Sequence, residues 1–264
     1  MDTGVYTGER LSGDGDPEFA VDMERHLAAY RFATACAAGR TVLDAGCGEG
    51  YGAALLAQVA TRVVGLDRVE AVQTARARHV LPNLEYRAHD LERVGTLGAR
   101  FDVVLSFQVI EHLVDPTGFL AGLVGCVAPG GTLLVTTPNR LMSVSENPYH
   151  LREWTAAELQ AVAAPVVPGV RVRGVHGSAR VLAYERARGE QVQRILRLDR
   201  LGLRRLLPEM IVKQAFPRLA RLVRRRIGRS GGMHAVGAAD FTVGDDDLDH
   251  ALDLLLVAER MPAG

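Results

Sequence analysis

Residues 42–57 commit the chain to a strand, a tight turn and a helix in immediate succession. Val42, Leu43 and Ala45 read as the end of a buried strand. Gly46, Gly48, Gly50 and Gly52 follow at every second position, and Ala53-Ala54-Leu55-Leu56-Ala57 then starts a helix. Glycine suits such a turn because positive φ costs it little and because it lets a ligand approach the backbone. The N–H groups at the start of a helix just beyond it suit a carboxylate or phosphate.

Strand and helix patterns alternate along the rest of the chain. After a Gly/Asp-rich arm at 1–17, Phe19, Met23, Leu27, Tyr30 and Ala33 recur at helical spacing and predict a helix over 17–38. Strands are expected at 41–45, 62–67, about 84–87, 101–106, 132–137 and 170–175, with helices at 53–60, 70–79, 116–127 and 158–163. Pro129-Gly130-Gly131 reads as a turn. Strands that alternate with helices through short loops imply a parallel, doubly wound sheet. The best seventh strand is Leu254-Leu255-Leu256-Val257-Ala258, far along the chain. Before it, residues about 186–230 place Val192, Ile195, Leu196, Leu203, Leu206, Leu207, Met210 and Ile211 at steps of three and four, with arginines between. The expected organisation is an arm and helix at 1–38, an α/β core at 39–185, a basic helical cap at 186–235, and a C-terminal segment at 236–264 with the last core strand.

Composition narrows the class. A length of 264 residues with 48% hydrophobic content supports one large domain plus an elaboration. No apolar run reaches the roughly 18 residues a membrane span needs, and Met1-Asp2-Thr3-Gly4 has neither the basic nor the apolar part of a leader. Cys36, Cys47 and Cys126 are too few and too far apart for a disulfide framework or a zinc site. A cytoplasmic protein is the expectation.

The glycine spacing differs from the G-x-G-x-x-G of a dinucleotide turn. With Asp44 two residues ahead, Asp44-Ala45-Gly46-Cys47-Gly48-Glu49-Gly50 resembles motif I of the class I S-adenosylmethionine (SAM)-dependent methyltransferases. Asp67, at the end of the second strand, stands where an acid meets ribose hydroxyls. Ala88-His89-Asp90-Leu91 resembles the motif whose acid meets the adenine amino group, and Phe101 to Ser106 and Val127-Ala128-Pro129-Gly130-Gly131 resemble the later motifs. The likeness covers about residues 38–160, in the family's order. It implies a Rossmann-like, seven-stranded sheet with the helical cap inserted before the last strand, and SAM as cofactor. It also implies that Asp44, Gly46, Cys47, Gly48 and Tyr51 lie at the methionine end, Asp67 and Arg68 at the ribose, and Asp90 and Leu91 at the adenine. The resemblance further implies that Phe107 and Gln108 line the methionine side. Singly, the glycines also suit plain strand-to-helix contact, and Asp67 or Asp90 a helix cap; their joint occurrence favours the cofactor.

A hydroxyl acceptor needs a base, because an alcohol is barely ionised at neutral pH, and histidine suits that task. His112, in Gln108-Val109-Ile110-Glu111-His112-Leu113, follows the fourth strand. His150, in Asn147-Pro148-Tyr149-His150-Leu151-Arg152-Glu153, follows the fifth. His112 alternatively shapes the pocket, and His150 alternatively caps a helix or bonds Glu153. Ubiquinone-pathway relatives that bind a divalent metal carry an acid where this chain has Gln108, so no metal is expected.

Thr7-Gly8-Glu9-Arg10, Met23-Glu24-Arg25-His26-Leu27-Ala28-Ala29-Tyr30, Tyr149-His150-Leu151-Arg152-Glu153 and Asp240-Phe241-Thr242 resemble a bacterial subgroup tied to glycan modification. That subgroup includes methyltransferases that O-methylate a glucose unit of mycofactocin oligosaccharides. It implies a hydroxyl on a glycan or glycosylated metabolite as acceptor. O- or C-methylation of a quinone or polyketide-like aromatic is the alternative enzyme reading, and a non-catalytic SAM-binding regulator the alternative class.

Between Arg186 and Arg229 the chain carries fourteen basic residues against Glu190, Asp199 and Glu209. Three readings stand: a solvated cap, a substrate lid, or a surface for an anionic partner such as membrane lipid, polyphosphate or RNA. Phe216 is the lone aromatic there, which argues against single-stranded nucleic acid, so a nucleic-acid partner is not expected.

Overall fold

Alternating side chains along the strands supply both faces of one central sheet. A computed structural model describes residues 19–143, 147–198 and 236–261; the Thr7–Arg10 arm and residues 199–235 of the expected cap lie outside them. The strands are β1 (Thr41–Ala45), β2 (Arg62–Asp67), β3 (Leu84–Ala88), β4 (Phe101–Phe107), β5 (Val127–Pro138), β6 (Arg171–Gly177), β7 (Phe241–Gly244) and β8 (Asp253–Ala258). The helices are α1 (Ala20–Ala37), α2 (Tyr51–Ala57), α3 (Val69–Arg78), α4 (Pro116–Gly125), α5 (Ala156–Ala163) and α6 (Ala179–Leu198). Sheet order is β3-β2-β1-β4-β5-β8-β6-β7. β1 to β5 pair in parallel, whereas β8 enters antiparallel between β5 and β6.

Val42, Val63, Val103 and Leu105 pack on one face with Ala29, Tyr30 and Ala33 of α1, Leu56 of α2 and Val72 of α3. Leu43, Val64, Leu66 and Val104 pack on the other with Phe119, Leu120 and Leu123 of α4 and Leu159 of α5. Each of these Val, Leu and Phe side chains, fully buried, contributes about 1.5–3 kcal/mol over exposure. Strands covered on both faces read as continuous apolar runs, which is why their positions were legible.

The sheet has eight strands where seven were expected. The extra one, β7, pairs antiparallel with β6 at the edge. It is four residues long and only its first residue is buried, too short a pattern to announce itself. Pro129-Gly130-Gly131 is likewise part of β5. Gly130 N–H donates to Met261 O at 2.7 Å, and Met261 N–H to Gly131 O at 3.0 Å, so the C-terminal segment holds it extended. The helix expected from 186 starts at Ala179, directly after β6.

The four glycines divide their work. Gly50, at φ +88°, ends the turn where an added Cβ would lie 2.4 Å from Tyr86 Oη, and a Cβ at Gly52 would lie 2.0 Å from the Tyr30 ring. Those two let α2 seat against β3 and α1. Gly46 and Gly48 face the cavity described next.

Candidate active site

The C-terminal ends of β1, β2 and β4 open into a cavity of about 680 Å³. It lies where strand order reverses between β1 and β4, the place where open α/β sheets bind ligands. Gly46, Cys47, Gly48 and Tyr51 form one side of it, with Asp67, Arg68, Asp90 and Leu91 beside them. Asp67 ties the turn to β2: Oδ2 accepts from Gly48 N–H at 2.8 Å and Oδ1 from Arg68 N–H at 2.7 Å. Asp90 lines the cavity and also caps the 3-10 segment Leu91–Leu97, accepting from Glu92 N–H at 3.1 Å. The cap and the cavity position thus coexist.

Phe107 and Gln108 close the end of β4. Gln108 sits at φ +57° while its N–H donates to Thr136 O at 3.1 Å. A left-handed non-glycine residue stores strain that clusters at functional sites.

Asp44 is placed differently from the expectation. It is wholly buried behind the turn and does not line the cavity. Its carboxyl accepts from Tyr30 Oη at 3.2 and 3.3 Å. Burial pushes its pKa up to about 8, with the Tyr30 hydrogen bond acting the other way and the Asp67 charge adding to the rise.

Sequence reasoning did not select His26, on α1. Its Nδ1 lies 2.5 Å from Tyr51 Oη, and its Nε2 is buried without a partner among the described residues. Burial lowers its pKa to about 4, so the ring is neutral. Helical spacing placed its neighbour Tyr30 in the core, yet nothing local foretold the contact with Tyr51.

His112 and His150 share another part of the lining, with ring centroids 5.0 Å apart. His112 Nδ1 lies 3.0 Å from Tyr149 O; a carbonyl only accepts, so Nδ1 carries the proton. His150 Nδ1 lies 2.5 Å from Glu153 Oε1, and the Asn147 side-chain amide donates to its Nε2 at 3.0 Å. Burial pushes the Glu153 carboxyl up, but hydrogen bonds from His150 and Ser143 outweigh it and hold the acid below its ordinary range.

Glu111 anchors this arrangement. Its backbone carbonyl accepts from Leu151 and Arg152 N–H at 2.8 and 3.3 Å, which fixes the loop carrying His150. Its carboxyl accepts from Thr137 Oγ1 at 3.1 Å, while Oε1 is buried without a partner among the described residues. Burial raises its pKa, against the pull of His112 and His150. Glu111, His112 and His150 each offer a donor atom within 4.8 Å of the others, a convergence that Gln108 at the expected acidic position did not suggest.

A model of the methyltransferase domain matches residues 22–173, more than half of the chain. The chain belongs to the methyltransferase domain family. A probable S-adenosylmethionine-dependent methyltransferase of Mycolicibacterium smegmatis is 47% identical over 160 residues, which is 58% of this chain and 61% of that protein. A ubiquinone biosynthesis O-methyltransferase of Methylobacterium is 37% identical over 108 residues, 40% of this chain and 43% of the relative. The chain therefore matches less than two thirds of these relatives' lengths. A crystal structure of an S-adenosylmethionine-dependent methyltransferase from Mesorhizobium loti superposes with a TM-score of 0.54 at 15% identity, covering 91% of this methyltransferase-domain chain and all of that one. The shared fold is the Rossmann-like methyltransferase fold.

Proposed function

We propose that the chain is a SAM-dependent methyltransferase that O-methylates a hydroxyl, on a glycan or glycosylated metabolite. The observation that carries the reading is a histidine–carboxylate pair, His150 and Glu153, on the same cavity as the glycine turn. The turn fits the cofactor: an added Cβ at Gly48 would meet nothing within 4 Å, so the backbone there is open to a ligand. When bound, SAM supplies an electrophilic methyl group on a sulfonium.

In this reading Gly46, Cys47, Gly48, Tyr51, Phe107 and Gln108 hold the methionine end, with Asp44 supporting the turn from behind. Asp67 and Arg68 take the ribose, and Asp90 and Leu91 the adenine. His150 accepts the hydroxyl proton at Nε2, displacing the Asn147 amide, while Glu153 orients the ring and offsets its new charge. His112, with its proton fixed on Nδ1, orients the acceptor or serves as the base in its place. Alignment of the reacting atoms supplies much of the rate.

A subgroup acceptor such as a mycofactocin-type oligosaccharide agrees with the Tyr149–Glu153 motif. The likeness to a ubiquinone O-methyltransferase supports a second reading, an aromatic hydroxyl. No helix among the described residues is long and apolar enough to cross a membrane; a cytoplasmic location is part of the proposal. We assign the 186–235 cap to acceptor selection, or to docking on an anionic partner or membrane surface. Incubating the protein with labelled SAM and a metabolite extract, then identifying the product by mass spectrometry, tests the proposal. A labelled, hydroxyl-methylated product supports it; tight SAM binding with no transfer to any fraction supports a regulator instead.

A further inference from the structure

Part of the cavity lining, from α1, α6 and the start of β8, is built of charged side chains. Arg25 is saturated. Its Nε donates to Asp253 Oδ2 at 2.7 Å, and one amino nitrogen donates to the other carboxylate oxygen and to Leu252 O. Burial works against its charge, but the pairing with Asp253 outweighs that and holds the guanidinium's pKa above its ordinary value. Arg188 is differently placed. A single amino nitrogen donates to Asp22 at 3.2 Å and to Glu185 at 3.3 and 3.4 Å. Its Nε and second amino nitrogen make no hydrogen bond among the described residues, and Glu185, which is buried, receives only those long contacts.

The preference for a ligand follows from charge and capacity. Among the described residues Glu185 and Asp253 already balance Arg25 and Arg188, so an anionic group would give up its water without meeting a net positive charge. A flat apolar ring would desolvate Arg188 and Glu185 without replacing their water, which costs more than the contact returns. A sugar hydroxyl both donates and accepts, so it can meet Glu185 and Arg188 together. The unpartnered Nε2 of His26 adds a neutral polar contact on the same lining.

We infer that Arg188 and Glu185, with His26, form the acceptor subsite, and that it selects an uncharged polyhydroxylated acceptor over a phosphorylated, carboxylated or aromatic one. The inference rests on the methyl-transfer reading above. To test it, a cell extract is split by solvent partition and anion exchange into organic, anionic and neutral aqueous fractions. Each is incubated with the full chain and labelled SAM. Label is expected in the neutral aqueous fraction, released as a methylated sugar on acid hydrolysis. Label confined to the anionic or organic fraction overturns the inference. Label in no fraction removes the methyl-transfer reading itself. Arg188→Met, Arg188→Lys and Glu185→Gln should each raise the KM for the neutral fraction about tenfold or more. Their Kd for S-adenosylhomocysteine should stay within about twofold, which also reports an intact fold. Wild-type KM values in variants that still bind S-adenosylhomocysteine would show that the acceptor sits elsewhere.

Discussion

His150 and Glu153 lie three residues apart in the loop ahead of α5, with imidazole Nδ1 2.5 Å from carboxylate Oε1. A carboxylate that holds one ring nitrogen leaves the other to exchange a proton, and it stabilises the imidazolium that results. His150→Ala should therefore lower kcat by about 10²- to 10⁴-fold. Calorimetric affinity for S-adenosylhomocysteine should be unchanged. His112→Ala should also lower turnover and spare binding, and Glu153→Gln should cost less than the loss of His150. Full rates in both histidine variants would exclude both as the base.

Asp67 accepts from Gly48 and Arg68 N–H. Asp67→Ala removes the acid assigned to the ribose and takes away the acceptor of Gly48 N–H in the turn and of Arg68 N–H ahead of α3. SAM affinity should fall by about tenfold or more. Titration calorimetry checks this, and an unchanged affinity would place the ribose elsewhere.

Chelation should leave the rate unaltered. His150 already uses Nδ1 toward Glu153 and accepts the Asn147 amide at Nε2, and Gln108 supplies no carboxylate. Activity lost to a chelator and restored by magnesium would instead assign a cation to Glu111, His112 and His150.

Two buried groups should make stability depend on pH in opposite directions. Asp44 keeps its proton up to about pH 8 in the folded chain, whereas the unfolded acid loses it near pH 4. The folded form binds more protons between these values, so stability falls as pH rises through them. His26, at about 4 when folded, binds fewer protons than the unfolded ring between about pH 4 and 6.5. Stability is therefore lost as pH falls through that window. Urea unfolding of the ligand-free chain at pH 6 and pH 8 should show a decline that Asp44→Asn flattens. An equal decline in both proteins would contradict the assignment.

Gly52→Ala would drive a Cβ into the Tyr30 ring. Such overpacking costs about 1–3 kcal/mol, readable as a lower urea midpoint. Because Gly52 does not line the cavity, S-adenosylhomocysteine affinity of the folded variant should persist.

The fold was legible where burial on both faces makes a pattern. β1, β2 and β4 stand within a residue of their expected bounds because strands sandwiched between helices are almost wholly apolar. β7 escaped because an edge strand with one buried residue carries no such pattern. Pro129-Gly130-Gly131 read as a turn because local propensity favours one, and only its pairing with Met261 keeps it extended. Most of the expected site residues line one cavity because each follows the C-terminal end of a parallel strand, where position along the chain also sets position in space.

The sequence alone determined the alternating α/β pattern, the cofactor-type turn at 46–52 and the acids that follow β2 and β3, since each is a local feature of adjacent residues. Tertiary structure alone decided which glycines face the cavity and which admit Tyr30 and Tyr86. It also placed Asp44 behind the turn and brought His26 to Tyr51, Glu111 to the His150 loop and Arg188 to Asp22. Those relationships join residues from separate elements, and burial and long-range hydrogen bonding become known only once the sheet order has brought the elements together.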